Sequence, residues 1–459
     1  MSAPRIIIIG AGPCGLGAAH RLLEHGHNNY VVYEKNPYVG GLAVSFVDSA
    51  GFTWDFGVHV AHSHYDYIDR LMASLLPDGF FYHERRSWIR VCNSWVPYPF
   101  QYNFRHLPDG PRRECLAGLE ALRDRAADPR IQDNFGRWIR GTFGEGIAKY
   151  FMIPYNRKIW ATDPDRMGVQ WMGDRVPQID VARVRRNIAE SKDDVSWGPN
   201  HLFQYPKHGG TGAIWNSMAG KLPQGILNLN TEVVRIDTRR KTVVLPDGRS
   251  DHYDYLISSM PIPELVRRAG LSELAEDAAA LKYTHVYVAG IASPRTLPDV
   301  LSDKTWIYCP EERADFYRVT PFSMFSPAHV PETSQWCSML CEISAAGHLP
   351  MVPPEQFNEP AARGLNELGL ISCSAGNAHY YPMSAEYGYP VPTKDRDKHL
   401  SAIIRTLDDR NVFSRGRFGG WKYEVGNMDH SVMQGVEVVD RIISGQQEAT
   451  WNDPNCVNA

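Results

Sequence analysis

The 459-residue sequence lacks several features that would place it in special classes of protein. No apolar run reaches the roughly 18 residues of a membrane-spanning helix, so none is predicted. The formal net charge of −4 is nearly balanced, which argues against nucleic acid or a membrane surface as a partner. Eight cysteines are scattered without a C-x-x-C pair, and no histidine spacing is typical of a metal site, so we predict no bound metal. A strand pattern begins almost at the N-terminus and leaves no room for a signal peptide, so we expect a cytoplasmic protein with free thiols.

A strand, a glycine turn, a helix and a second strand that ends in an acid open the chain. An apolar run ending at Ile9 is followed by glycines at positions 10, 12 and 15, then by a helical run and the strand Tyr30–Tyr33. Gly10 permits a tight turn, Gly12 lets the backbone approach a pyrophosphate, and Gly15 lets the helix pack on the strand. Glu34, about 20 residues further on, can accept bonds from ribose hydroxyls. The pattern predicts a dinucleotide-binding unit.

The length allows two or three domains, and the periodicity changes along the chain. We predict a mixed α/β fold with three parts: a Rossmann-like, discontinuous FAD-binding domain, a helical substrate domain and an antiparallel β-sheet domain. The predicted ranges are 1–84, 196–263 and 405–459 for the first, 106–195 for the second, and 85–105 with 264–404 for the third.

Two further stretches suggest binding surfaces. Trp95–Gln101 contains two prolines, which hold it extended and let Tyr98 and Phe100 present flat faces. On this stretch alone, a rigid connection with buried aromatic rings is the simpler interpretation. Near the C-terminus, Gly426 and Asn427 precede a predicted helix, whose N-terminus offers a second candidate anion site.

These motifs together resemble a known family, the UDP-galactopyranose mutases of the longer type found in fungi and parasites. The resemblance runs nearly from end to end. The most specific blocks are 95–101, 154–160, 197–200, 316–318, 388–393 and 415–440. In addition, Gly40 and Gly41 follow Glu34 as they do in flavoproteins of the amine-oxidase type, which favours FAD over NAD.

The resemblance implies a redox-neutral isomerisation of UDP-galactopyranose to UDP-galactofuranose. In this family the N5 atom of reduced FAD attacks the anomeric carbon, and UDP leaves and later returns. The family draws its reducing equivalents from NADPH, although the sequence contains no second glycine fingerprint. The substrate would be a UDP-hexose or a related nucleotide sugar, and the sequence leaves the oligomeric state open.

The resemblance also implies roles for individual residues. Arg175 and Arg318 would flank the diphosphate, and His59 would lie beside the flavin. FAD would be held by Gly10, Gly12, Gly15, Glu34, Gly41, Val233, Arg417 and Asn427. The nucleotide sugar would contact Arg90, Tyr98, Phe100, Gln101, Phe151, Asn156, Trp160, Asn200, Trp306, Tyr308, Tyr389 and Tyr423.

The sequence departs from the family pattern at several positions. Val58 replaces a glycine in the Gly-Gly-His segment beside the flavin, and a β-branched residue resists positive φ. His62 stands where a phenylalanine is usual, and His208 replaces an arginine. Two other functions therefore remain open: an FAD-dependent oxidase or desaturase of the amine-oxidase type, and a nucleotide-binding paralogue without activity.

Overall fold

The computed structural model describes residues 3–123, 129–173, 179–195, 201–372 and 376–457. Within these ranges the chain forms a parallel sheet and a large, mainly antiparallel sheet. A group of helices lies, along the chain, between two strands of the large sheet. None of the helices in the described ranges is long and apolar enough to cross a bilayer.

The parallel sheet contains the opening strand at its centre. Ile6–Ile9 pairs with Tyr30–Tyr33 on one side and with Tyr255–Ser258 on the other. All four isoleucines are buried, as expected for a strand that is covered on both faces. In the described residues the order across this sheet is Val412–Ser414, Tyr255–Ser258, Ile6–Ile9, Tyr30–Tyr33 and Leu227–Asn228.

Each face of the parallel sheet has its own apolar core. One core includes residues of the helices Pro13–Glu24, Asp66–Ala73, Gly212–Gly220 and Met428–Ser444. The other includes residues of a small antiparallel sheet and three helices: Arg235–Asp237, Thr242–Val244, Ser250–His252, Ile262–Arg268, Ala275–Ala280 and Arg396–Asp408. This layered arrangement is the doubly wound architecture that the glycine motif predicts.

The large sheet carries much of the remaining β structure. In the described residues its order is His379–Pro390, Tyr283–Ser293, Cys337–Ala346, Arg318–Pro321, Trp306–Tyr308, Ser87–Val91 and Ser94–Pro97. Neighbouring strands are antiparallel except for Trp306–Tyr308 and Ser87–Val91, which run parallel. This one pair departs from the antiparallel pattern predicted for the sheet, and it joins two segments that are distant in the chain.

The helical region packs against the large sheet through a shared core that includes Ile89, Val91 and Val96. Its helices are Phe100–Asn103, Asp109–Arg123, Phe135–Ile147, Ile153–Trp160 and Val181–Ala189, with a π-helical turn at Ala148–Met152. Asn134 and Asp180 cap two of them by accepting bonds from backbone N–H groups. The π-helical turn leads directly into Ile153–Trp160, and such irregular turns are frequent at functional sites.

Smaller elements join these parts. Two short antiparallel pairs are Ser45–Val47 with Thr53–Asp55 and Phe80–Glu84 with Leu202–Pro206. The other α-helices in the described residues are Asn358–Glu367, Ala449–Asn452 and Pro454–Val457.

The mixed α/β fold class is confirmed, with its parallel sheet, helices and second sheet. The strands of the parallel sheet all lie inside the ranges predicted for the FAD-binding domain, but the division into three domains stays a prediction. The stretch Trp95–Gln101 is extended only in part, because the strand ends at Pro97 and a short helix begins at Phe100.

Candidate functional site

The turn after the first strand can be built only with glycine. Gly10 has a φ of +99°, and an added Cβ would overlap the Ser259 hydroxyl. At Gly15 an added Cβ would overlap the Gly10 carbonyl oxygen, because the helix begins directly on top of the turn. Gly12 is the N-cap of Pro13–Glu24 and lies against Gly41, so two backbones approach without side chains between them. We name Gly10, Gly12, Gly15, Glu34 and Gly41 the cofactor cradle.

Glu34 closes the cofactor cradle from the end of the second strand. Its carboxylate is buried and accepts bonds from the backbone N–H groups of Ala11 and Asn36, each at 2.8 Å. A carboxylate has about four acceptor positions, so it can still receive a ribose hydroxyl. The exposed backbone, the helix N-terminus and this acid fit the pyrophosphate and ribose of FAD. Val233, also predicted for this site, is 2% exposed in the adjoining core, and its carbonyl accepts a bond from Arg268.

A second helix N-terminus lies at the end of the chain. Asn427 is the N-cap of Met428–Ser444, and its side chain makes no capping bond. This helix packs closely on Pro13–Glu24: a Cβ added at Gly17 would overlap the backbone of Val432. Its first N–H groups are thus a second place where polar atoms of a cofactor could be bound.

Arg417 connects this helix start to a cluster of aromatic residues. Its Nη1 donates to the Gly426 carbonyl at 3.1 Å, next to Asn427. Its guanidinium lies 4.9 Å from the ring centre of Tyr389 and 5.6 Å from that of Tyr423. Arg417 therefore contacts both a predicted cofactor region and two residues predicted to bind substrate.

A buried ion pair stands at the centre of that cluster. Arg318 and Glu342 face each other on neighbouring strands, and Arg318 donates through Nε at 2.8 Å and Nη2 at 2.7 Å. Among the described residues no hydrogen bond involves Nη1. The Glu342 side chain is 3% exposed, so this bidentate contact fixes the guanidinium while leaving further donors for an anion.

Tyrosine hydroxyls extend the network from Glu342. Tyr317 donates to Glu342 at 2.8 Å, and its oxygen lies 3.0 Å from that of Tyr389. Burial raises the pKa of Tyr317 well above its usual value, and burial also raises the pKa of Tyr389. Both hydroxyls are therefore protonated at neutral pH, and because the single Tyr317 proton goes to Glu342, Tyr389 is the donor between the two tyrosines.

The helical region supplies the aromatic residues that face this ion pair and its tyrosines from the other side. Tyr155 lies 5.2 Å from Tyr308, and Trp160 lies 4.8 Å from Tyr423, measured between ring centres. Trp160 also donates to Asn156 at 3.1 Å. We name the whole group the arginine–tyrosine cleft; its members are Tyr155, Trp160, Tyr308, Tyr317, Arg318, Glu342, Tyr389 and Tyr423.

Predicted nucleotide contacts lie next to this cleft. Phe151 stacks on Phe100 at 5.0 Å and on Tyr155 at 5.2 Å. Tyr98 lies 5.8 Å from Tyr308. Gln101 is 1% exposed, and its Oε1 has no hydrogen-bond partner among the described residues. A buried amide oxygen without a partner is costly, and it is what a site for a ligand N–H requires.

Residues 57–59, which we name the His59 loop, lie beside Glu342 of the ion pair. Gly57 has a φ of +75°, and an added Cβ there would lie 3.7 Å from Glu342 Oε2. His59 Nδ1 contacts the Gly57 carbonyl at 2.9 Å, while Thr211 donates to the His59 carbonyl at 2.5 Å. Burial, together with the charge of Arg417, lowers the pKa of His59 to about 4, so the imidazole is neutral at pH 7.

The backbone of Val58, the residue that replaces the family's glycine, does not have a positive φ in this structure. Val58 is buried in an apolar core, and the positive φ falls on Gly57 instead. In this conformation a β-branched residue at position 58 is accommodated without strain.

Some predicted residues are not brought to the arginine–tyrosine cleft. Arg90 is on the opposite face of the large sheet from Ile89, where it donates to the Leu368 carbonyl at 2.9 Å and lies over Trp95. Trp306 packs against Phe203 at 5.3 Å, in the same core as Val58. Arg175 and Asn200 lie outside the described residues.

Sequence reasoning missed four residues at this site. Tyr155 and Tyr317 lie within the blocks 154–160 and 316–318 that carry the family resemblance, but the resemblance gives them no role. Glu342 lies within the largely buried strand Cys337–Ala346, where a carboxylate needs a buried partner, but the sequence does not identify that partner. The fourth, Lys158, donates to backbone carbonyls of the segment that follows Tyr308.

One group of possible metal ligands occurs in the described residues. Ring nitrogens of His62 and His64 and a carboxylate oxygen of Asp429 lie within 4.8 Å of one another. However, His64 Nδ1 is already 2.7 Å from Asp429, and Asp429 lies in the first turn of a helix, where the dipole disfavours a cation. We interpret His64 and Asp429 as a hydrogen-bonded pair with His62 beside it, and the expectation of no metal stays a prediction.

Comparison with known proteins agrees with this geometry. The fold and cofactor cradle define a dinucleotide-binding flavoprotein, and residues 13–443 match the family of flavin-containing amine oxidoreductases. The crystal structure of a reduced UDP-galactopyranose mutase superimposes with a TM-score of 0.95 at 40% identity, covering 100% of this chain and 98% of that chain. The chain belongs to the flavin-containing amine oxidoreductases and, within them, is similar to UDP-galactopyranose mutase.

Other relatives are more distant. A putative protoporphyrinogen oxidase from Exiguobacterium sp. 255-15 has a TM-score of 0.73 at 15% identity, over 97% of this chain and 100% of that chain, and so shares the fold. The zeta-carotene desaturase of Zea mays is 39% identical over 75 residues. That match spans 16% of this chain and only 13% of the desaturase.

Proposed function

We propose that this protein is a flavin-dependent nucleotide-sugar mutase that interconverts UDP-galactopyranose and UDP-galactofuranose, or a related pyranose and furanose pair. The observation that carries the proposal is the arginine–tyrosine cleft, in a chain 40% identical over its full length to a reduced UDP-galactopyranose mutase. When bound, reduced FAD would supply the nucleophile for the anomeric carbon. The net reaction is an isomerisation without redox change.

The cleft suits a leaving diphosphate. Cleavage of the anomeric bond develops negative charge on the β-phosphate, which cationic and hydroxyl donors stabilise. Arg318 would donate through Nη1 while Glu342 keeps it in place. Tyr423 would add a hydroxyl bond, and Tyr389 would add another by turning its O–H from Tyr317 to the phosphate. Arg175, which the family resemblance assigns to the same diphosphate, would supply a second guanidinium.

The adjoining aromatic residues suit a nucleoside base. Tyr98, Phe100 and Phe151 form a planar, apolar environment, and the unpaired Gln101 oxygen would accept a bond from an imide N–H such as that of uracil. Asn156 and Trp160 would lie along the same side. We include FAD held in the cofactor cradle, with NADPH as reductant, in the proposal; support for NADPH comes from the family resemblance alone.

The His59 loop would act on the flavin side. A neutral His59, with its Nδ1 engaged by Gly57, leaves Nε2 for a bond to the cofactor or the sugar. The Thr211 bond would keep this loop beside Glu342. This position would let the loop exclude water from the reacting carbon.

A desaturase or oxidase is the second candidate, and the short desaturase match favours it. Such an enzyme needs an apolar substrate pocket. A cleft with paired charge and several tyrosine hydroxyls suits that chemistry poorly. We therefore rank the mutase first.

The test uses the purified holoenzyme with UDP-galactofuranose, with and without dithionite. We expect UDP-galactopyranose to form only with the reduced enzyme and without net oxidation of any component. Oxygen consumption with an amine or a polyene, in the absence of isomerisation, would instead support the oxidase.

A further inference from the structure

One half-buried lysine joins the two sides of the arginine–tyrosine cleft. Lys158 lies in the last turn of Ile153–Trp160, the helix that also carries Tyr155 and Trp160. Its Nζ donates to backbone carbonyls of the segment between two strands of the large sheet. The acceptors are Cys309 at 3.0 Å, Glu311 at 2.5 Å, Ala314 at 2.5 Å and Phe316 at 3.1 Å.

This arrangement uses every donor of the ammonium group. A lysine has three N–H bonds, so four carbonyls around it must share them, and they form a ring that favours a compact cation. Two of the four acceptors directly flank residues of the cleft. Cys309 follows Tyr308, and Phe316 precedes Tyr317.

The segment from 309 to 316 determines where the cleft side chains lie. It connects Trp306–Tyr308 to Arg318–Pro321, and its ends are closed by the bond from Cys309 N–H to the Tyr317 carbonyl at 2.9 Å. Movement of this segment would shift Tyr308 and Arg318 relative to Tyr155. A displacement of about 1 Å at such residues is enough to cost on the order of 10²-fold in rate.

We propose that Lys158 is a positioning residue, which fixes the 309–316 segment against the helical region and so aligns Tyr308 and Arg318 for the diphosphate. The proposal deepens the proposed function and rests on it for the identity of the ligand. Lys158 does not itself touch the substrate. Its role is to hold backbone carbonyls, and this role can be supplied by another ammonium ion.

That property gives a specific test by chemical rescue. Lys158→Ala removes Cγ, Cδ, Cε and Nζ, a set of atoms that propylammonium replaces, whereas neutral propanol lacks the charge. We expect UDP binding by the Lys158→Ala holoenzyme to weaken about 10-fold or more, since several charge-assisted bonds are lost. Propylammonium should restore most of it and propanol should not. Lys158→Met fills the space, so it should be equally weak and resist rescue.

The neighbouring Arg157 provides a matched control. It lies on the same helix but is exposed and paired with Asp163. Arg157→Ala should change UDP affinity less than 2-fold, because exposed ion pairs contribute little. An effect of Arg157→Ala equal to that of Lys158→Ala, or failure of propylammonium to restore Lys158→Ala, would overturn the proposal.

A second measurement is independent of the ligand. Hydrogen exchange of the peptide covering residues 306–318 should accelerate in Lys158→Ala, return towards wild type with propylammonium, and remain unchanged in Arg157→Ala. Unchanged exchange in Lys158→Ala would contradict the positioning role. If the exchange pattern appears as expected but the wild-type holoenzyme binds no UDP, the proposed function fails while the Lys158 contact stands.

Discussion

The cofactor cradle and the arginine–tyrosine cleft are built in opposite ways. The cradle comes from residues 10–41, in one strand–helix–strand unit, and its shape depends on Gly10 and Gly15, where a Cβ would overlap neighbouring atoms. The cleft comes from the helix Ile153–Trp160, from several strands of the large sheet and from Tyr423. The first is therefore specified by local backbone geometry, and the second by tertiary contacts between distant segments.

This difference explains how one cradle serves several chemistries. The family match covers residues 13–443, and its members include oxidoreductases by description. Under the proposed function, the flavin would face the other half of the molecule, where the Arg318–Glu342 ion pair and the tyrosine hydroxyls lie. The following experiments compare the two regions, beginning with the largest expected effect.

Gly15→Ala should disrupt the cofactor cradle. The added Cβ overlaps the Gly10 carbonyl, so the helix must move away from the turn and the phosphate site is lost. We expect the purified protein to lose its flavin absorbance and, with it, all activity. Gly220→Ala is the control, since an added Cβ there meets no atom within 4 Å. Normal flavin content in Gly15→Ala would contradict the local account of the cradle.

Arg318→Ala should damage the cleft and spare the cradle. Loss of a preorganised donor to developing charge costs about 10²- to 10³-fold in kcat. Flavin absorbance should persist, because Arg318 contacts none of the cradle residues in the described structure. Arg313→Ala is the control: Arg313 lies five residues before Arg318 and is paired with Glu311 at the surface, so the variant should stay within 2-fold of wild type. Near-normal turnover of Arg318→Ala would show that the cleft is not the site of bond cleavage.

These two variants also mark what could be predicted from the sequence. Gly10, Gly12, Gly15 and Glu34 could be predicted because their spacing along the chain is itself the signal. The role of Glu342 could not be predicted, because its partner Arg318 is 24 residues away in the chain and the strand that contains Glu342 has an apolar pattern. The four carbonyls around Lys158 leave no pattern in sequence at all, because backbone acceptors carry no residue identity.

Arg90 illustrates the limit of inference from resemblance. The alternation of a strand places Arg90 on the face opposite to Ile89 and Val91, and these two residues pack toward the helical region. Pairing of this strand with Trp306–Tyr308 then decides which face meets the cleft. That pairing is parallel and joins segments far apart in the chain, so local pattern could not predict it.

Tyr389→Phe should have a moderate effect. The variant keeps the ring beside Arg417 and removes the hydroxyl that contacts Tyr317, at a cost of about 1 kcal/mol or roughly 5-fold in activity. Tyr387→Phe is the control, because Tyr387 stacks on Tyr283 away from the ion pair. Steady-state kinetics of the two variants should differ; equal rates would remove Tyr389 from the diphosphate site.

The last prediction concerns stability rather than activity, and its dependence on pH through the His59 loop. The His59 pKa of about 4 is below that of an unfolded histidine, so the unfolded chain binds a proton first as the pH falls. Stability should therefore decrease between pH 6.5 and 4, by at most about 3 kcal/mol from this group. Denaturant titrations of the holoenzyme should show a shallower pH dependence for His59→Gln. The exposed His252→Gln should behave like wild type, and an unchanged dependence in His59→Gln would contradict the burial of a neutral imidazole.

The central claim is that the flavin faces a nucleotide diphosphate sugar and that the bond between the anomeric carbon and the diphosphate is broken. The most direct measurement follows an oxygen isotope placed in the bridge between the sugar and the β-phosphate of UDP-galactopyranose. With the dithionite-reduced holoenzyme, recovered substrate should have the label distributed among the β-phosphate oxygens, and with the oxidised enzyme or reduced Arg318→Ala it should not. Label that stays in the bridge while the reduced wild-type enzyme turns over would contradict the account.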